Sequence, residues 1–149
     1  AKLKLAATFL MGYPGMPTIY YGDEVGVYGS SDPDCRRTYP WGHEDQELLG
    51  YYKKIIKVRN DHKQLFAHGD VFTLKADGDV YVYGRSNQGE DAIIAMNRGN
   101  SKEIVLDASN FAEGTLFKDA LDDNYTVSVQ NGRLTLELGT LKARMMLNK

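Results

Sequence analysis

The chain has one cysteine, Cys35, among 149 residues, and this excludes an internal disulfide. It has three histidines, His43, His62 and His68, scattered without metal-ligand spacing, so no metal site and no cofactor are expected. No stretch approaches the 18 or so consecutive apolar residues of a membrane-spanning helix. A net charge of −2 leaves no basic excess for nucleic acid or an anionic membrane surface. Repeats and low-complexity runs are also missing. What is present is ordinary globular material, 42% hydrophobic and 26% charged, enough for a sizeable core and about one domain in length. Ala1–Met11 is apolar but has no clustered positive charge and no small-residue cleavage site, so it reads as a core helix rather than a signal peptide. The chain starts without Met, with that helix already under way, and this suggests a fragment.

Helical spacing covers residues 2–12, where Leu3, Leu5, Ala6, Phe9 and Leu10 recur and Gly12 is a natural stop. A second helix is expected over 46–61. Asp45 is its N-cap, Glu47 sits in its first turn, and Leu48, Tyr52, Ile55, Ile56 and Arg59 form its stripe. Between the two helices Thr18–Tyr21 is a β-branched and aromatic run bounded by Pro17 and Gly22, so a buried strand is expected there. Leu65–Gly69 reads as a linker.

Beyond Asp70 the period changes to two. Strands are expected at 71–75, 80–83, 92–96, 103–106, 115–117, 125–129, 133–138 and 143–147. Asp77-Gly78 and Asn131-Gly132 mark hairpins. About eight short antiparallel strands argue for a β-sandwich. The division falls near residue 66: 1–65 has helix–strand–loop–helix order, and 66–149 is a β-sandwich.

Two motifs lie between the helices. Gly15-Met-Pro-Thr-Ile-Tyr-Tyr-Gly-Asp-Glu24 is followed by Asp32-Pro-Asp-Cys-Arg-Arg37 and Tyr39-Pro-Trp41. Together they resemble the α-amylase family of glycoside hydrolases (family 13), in particular the neopullulanase, cyclomaltodextrinase and maltogenic amylase group. The resemblance is close over residues 3–64 and holds only in kind beyond. It implies an α+β fragment: residues 1–65 would be the last strand and helices of a (β/α)8 barrel, followed by a β-sandwich C-terminal domain. A complete barrel takes about 250 residues, so about seven strands would lie upstream.

The resemblance also implies function. The parent enzyme would hydrolyse α-1,4, and perhaps α-1,6, glucosidic bonds with retention, using two carboxyl groups. In the family those carboxylates come from strands four, five and seven. None of their motifs occurs here, and neither does the Asn-His-Asp stretch that follows strand seven. No catalytic residue is therefore assigned, and the chain alone is expected to be inactive.

Asp32 and Arg36 match the positions expected to bind glucose units of an α-glucan or maltooligosaccharide on the non-reducing side of the cleaved bond. A carboxylate accepts from sugar hydroxyls and a guanidinium donates to them. The bland alternative is that Asp32 caps a local turn while Arg36 pairs with Asp34. Glu24, Asp34 and Trp41 are secondary candidates. For Glu24 a loop-anchoring bond to backbone amides is the stronger reading, and for Trp41 it is packing. Tyr20 and Tyr21 would point to opposite faces of a strand, and Cys35 reads as a packing residue.

A rival function is a non-catalytic structural or carbohydrate-binding β-sandwich module, with Tyr81, Tyr83, Phe117 and Tyr125 on one exposed face. Without the rest of a barrel, helices 2–12 and 46–61 would lose most of their apolar partners. Residues 1–45 would then be disordered, or the chain would self-associate through the barrel-facing surface.

Overall fold

The structure, a computed structural model, describes residues 1–148. Helix α1 (Lys2–Gly12) and helix α2 (Gln46–Asp61) fall where the apolar stripes place them. The Asp45 carboxylate accepts from the Leu48 amide at 2.9 Å and caps α2 as expected. A short helix, α3 (Lys63–His68), replaces the expected linker. Six residues are too few to show a period, and α3 is held by its fully buried Leu65 and Phe66.

Eight strands follow: β1 (Asp70–Asp77), β2 (Val80–Asn87), β3 (Glu90–Asn97), β4 (Lys102–Asp107), β5 (Leu116–Asp119), β6 (Thr126–Ser128), β7 (Arg133–Leu138) and β8 (Lys142–Leu147). All their pairings are antiparallel. One sheet has the order β1-β2-β3-β8-β5-β6, and β4 pairs with β7 in a second. Asn131 and Gly132 both have positive φ, the conformation that a two-residue hairpin turn demands and that Asn-Gly supplies.

The large sheet is covered on both faces. Tyr83, Ala92, Ile94, Met96, Met145 and Leu147 meet Leu5 and Met11 of α1, Tyr52 and Ile55 of α2, and Phe66 of α3. The alternate residues Val80, Val82, Ile93, Ala95 and Met146 meet Ile104 and Leu106 of β4 and Leu134, Leu136 and Leu138 of β7. Double coverage explains why Ala92–Met96 is continuously apolar, whereas β7, covered on one face, alternates strictly. Helix α2 keeps its apolar contact, with Leu48, Tyr52 and Ile55 buried, but of the stripe expected on α1 only Leu5 is buried, while Leu3, Ala6, Phe9 and Leu10 stay exposed.

Buried polar groups tie the helices to the sheet. Arg85 on β2, fully buried, donates to the carbonyls of Gly12, Leu65, Phe66, Gly69 and Asp70. Arg59 on α2 donates to Met11, Tyr13 and Gly15, and the Tyr83 hydroxyl donates to Phe9. The end of α1 thus rests on three side chains from two elements. Gly12 itself lies so close to Tyr83 and Ile94 that a Cβ would collide with both.

Candidate functional site

The segment between α1 and α2 is mostly exposed, and local contacts hold it. Thr18–Tyr21 forms no strand, which corrects the expectation: its composition suits a sheet, but no neighbouring strand is available to pair with it. Tyr20 and Tyr21 accordingly do not point to opposite faces. Both are exposed, and their ring centroids lie 4.9 Å apart. Gly22 turns the chain with φ 92°, into a single turn of 3-10 helix at Asp23–Val25. Glu24 reaches back to accept from the Gly22 amide at 2.9 Å, the loop-anchoring role that its position suggested.

A second 3-10 turn, Asp34–Arg36, follows the cis Asp32–Pro33 peptide. Here the acid–arginine pairing differs from the turn-holding alternative. Arg36 pairs with Asp32 at 2.8 Å, and Asp34 is taken by Arg37. The Asp32–Arg36 pair is open to solvent, with side chains 61% and 68% exposed. Each group makes a single contact with the other, and an exposed pair of this kind contributes little to folding. Either member is free to exchange its partner for another hydrogen-bonding group. The Cys35 thiol donates to the other Asp32 oxygen at 3.0 Å. That carboxylate first, and burial second, push the thiol pKa up.

Asp34 is bound much more completely. One oxygen takes Nε and Nη2 of Arg37 at 3.1 and 2.6 Å, and the other takes the Ser30 amide at 3.0 Å. Arg37 first, then that amide, hold the Asp34 carboxyl below its ordinary range. A lowered carboxyl pKa means that the contact is fully present above the ordinary value and is lost only as pH falls through the lower one. The Arg37 guanidinium lies 4.1 Å from the centroid of the Tyr28 ring, and its carbonyl accepts from the Tyr21 hydroxyl at 3.0 Å. Tyr28 and Arg37 also border a hollow of about 260 Å³ with Val25, Pro40 and His43.

Trp41 is 79% exposed and touches Tyr39 at a centroid distance of 4.5 Å, so packing within this chain does not account for it. The rival sugar face on the sandwich does not form. Tyr83 and Phe117 are fully buried, and Tyr81 and Tyr83 face the helices while Phe117 and Tyr125 face the second sheet. Among the described residues no cluster of His, Cys, Asp and Glu could hold a metal ion, and no helix is long and apolar enough to cross a membrane. Arg37 and Tyr28 were not singled out from sequence. The signal available was the Asp34–Arg37 spacing of three, interleaved with the Asp32–Arg36 spacing of four.

The family profile described as the α-amylase C-terminal domain matches residues 69–145, more than half of the chain. The chain belongs to the α-amylase family. An amylopullulanase of Thermoanaerobacter thermohydrosulfuricus is 43% identical over 159 residues, covering 99% of this chain and 11% of the relative. Neopullulanase 2 of Thermoactinomyces vulgaris is 34% identical, over 99% of this chain and 26% of its own length. The crystal structure of an Anoxybacillus α-amylase superposes with a TM-score of 0.89 at 27% identity, covering 97% of this chain and 31% of that one. The chain thus spans a small share of these α-amylase-family relatives and matches the C-terminal domain of family 13 α-glucan hydrolases. The likeness runs through the 1–65 segment as well, since relatives match almost the whole chain.

Proposed function

We propose that this chain is the C-terminal portion of a retaining α-glucan hydrolase. Residues 1–65 would supply the last strand, substrate loop and last helix of a (β/α)8 barrel, and residues 66–149 a supporting β-sandwich. Asp32 and Arg36 bind glucose units of the α-glucan, and the reacting carboxylates lie elsewhere in the protein. Asp34 and Glu24 hold the loop, and Trp41 flanks it.

The observation that carries this reading is the alignment of relatives over 99% of the chain, which includes the loop as well as the sandwich. The exposed surface agrees with it. Leu3, Phe9 and Leu10 of α1 are each nearly 40% exposed, and Met16 is 92% exposed. A helix that exposes apolar side chains beside its buried face is one that a larger protein covers. The missing partner is the upstream barrel, and without it this surface drives self-association.

The test is a chimera in which this chain replaces the matching segment of Thermoactinomyces vulgaris neopullulanase 2. The chimera is expected to hydrolyse pullulan. Asp32→Ala and Arg36→Ala should each raise KM about tenfold with a smaller change in kcat, as loss of one charged hydrogen bond to bound sugar requires. An unchanged KM in both variants overturns the assignment.

A further inference from the structure

We propose that Asp34, Arg37 and Tyr28 form a positioning brace that sets how Asp32 and Arg36 are presented. The inference rests on the reading of Asp32 and Arg36 as the sugar-contacting pair. Two acid–arginine pairs are interleaved in six residues, and the structure treats them oppositely. Asp32–Arg36 is singly bonded and open. Asp34–Arg37 is forked, and it is tied to Ser30 on one side and to the Tyr28 ring on the other. The chain around it closes through backbone contacts as well: the Cys35 amide donates to Ser31, and the Arg36 amide to Pro33.

Both Asp34 oxygens are engaged within the loop, by three of the roughly four hydrogen bonds a carboxylate accepts, so the loop itself fixes its position. Its effect passes through the turn. Cys35 lies inside the span of both pairs in sequence, and its thiol bonds to Asp32. A loop that loses Asp34–Arg37 frees the 3-10 turn, and the Asp32 carboxylate leaves its place beside the thiol. Arg37 cannot be replaced by Lys in this role. A lysine keeps the charge but has neither the fork nor a planar face to lay on Tyr28.

Cys35, the sole cysteine, reports on the brace directly. The test measures the rate of its reaction with Ellman's reagent at pH 7 in the 149-residue chain, for the wild type, Asp34→Asn, Arg37→Lys and Asp32→Asn. Moving the Asp32 carboxylate away lowers the thiol pKa and enlarges the thiolate fraction. Arg37→Lys, which keeps the charge, should react at least about threefold faster than the wild type, as Asp32→Asn does, with the urea midpoint of unfolding unchanged. Asp34→Asn should also react faster, part of its gain coming from loss of a charge that itself holds the thiol pKa up. A wild-type rate in Arg37→Lys overturns the proposal, whatever Asp34→Asn and Asp32→Asn do. A second arm places Arg37→Lys in the neopullulanase chimera, where KM should rise while kcat holds. If Asp32→Ala leaves KM unchanged there, the sugar-binding reading fails while the thiol rates still decide the brace.

Discussion

Arg85→Met should cost about 3–5 kcal/mol of folding stability, a large part of the 5–15 kcal/mol that keeps a domain folded. Arg85 is fully buried and forms no ion pair with a carboxylate among the described residues. Backbone carbonyls neutralise it instead. Gly12 ends α1, Leu65, Phe66 and Gly69 belong to the end of α3, and Asp70 begins β1. Helix C-termini carry partial negative charge and orphan carbonyls, so a guanidinium with five donors answers both needs at once. Burial lowers the Arg85 pKa, and the carbonyls are what allow the charge to stay inside.

Methionine fills most of the same space but leaves several carbonyls facing an apolar side chain, at about 1–3 kcal/mol each where no other donor is present. The Leu65 carbonyl is spared, because the Gly69 amide also donates to it. Arg85→Lys should recover less than half of the loss, having fewer donors and no fork. Urea unfolding monitored by circular dichroism measures both. A loss below about 1 kcal/mol for Arg85→Met would mean that apolar packing alone holds α1 and α3 to the sheet.

Arg144→Met should be comparably damaging, at about 3–5 kcal/mol, because it strands a buried carboxylate. Arg144 on β8 and Asp119 on β5 meet at 2.7 Å, with side chains 6% and 0% exposed. Asp119 also accepts from the Met145 and Leu121 amides, and Arg144 donates to the Glu137 carbonyl and lies 3.4 Å from the centroid of the Tyr125 ring. The pair fastens β5 to β8 where the ladder has only two residue pairs. Asp119→Leu combined with Arg144→Met leaves no stranded charge, so the double variant should be more stable than the sum of the single losses predicts by at least about 1 kcal/mol. Additive losses in that cycle would show that the two side chains act independently.

The fold was legible where local chemistry decides it. Asp45 reads as a cap, Asn131-Gly132 as a turn, and the alternation of β7 as a half-covered strand. What stayed hidden depends on distant parts of the chain. Thr18–Tyr21 has strand composition, but only a neighbour could make it a strand. The β8 strand lies between β3 and β5, a placement that no local pattern records. Arg85 follows Gly84 in a stretch that looks ready to leave the core, yet α1, α3 and β1 converge on it.

The candidate site was legible as a set of residue types. Asp32 and Arg36 stand out, but their partners do not. Spacings of three and four both fit a turn, so only the geometry separates the open Asp32–Arg36 pair from the closed Asp34–Arg37 pair.

The claim at the centre is that this chain contacts glucan but does not carry the reacting carboxylates. Reducing-sugar release from maltoheptaose and pullulan by the purified 149-residue chain, beside its Asp32→Ala variant, tests it most directly. The account predicts no release above the blank from either protein. Turnover in the chain that disappears in Asp32→Ala would contradict it, and would place an active carboxylate pair between Asp23 and Asp34.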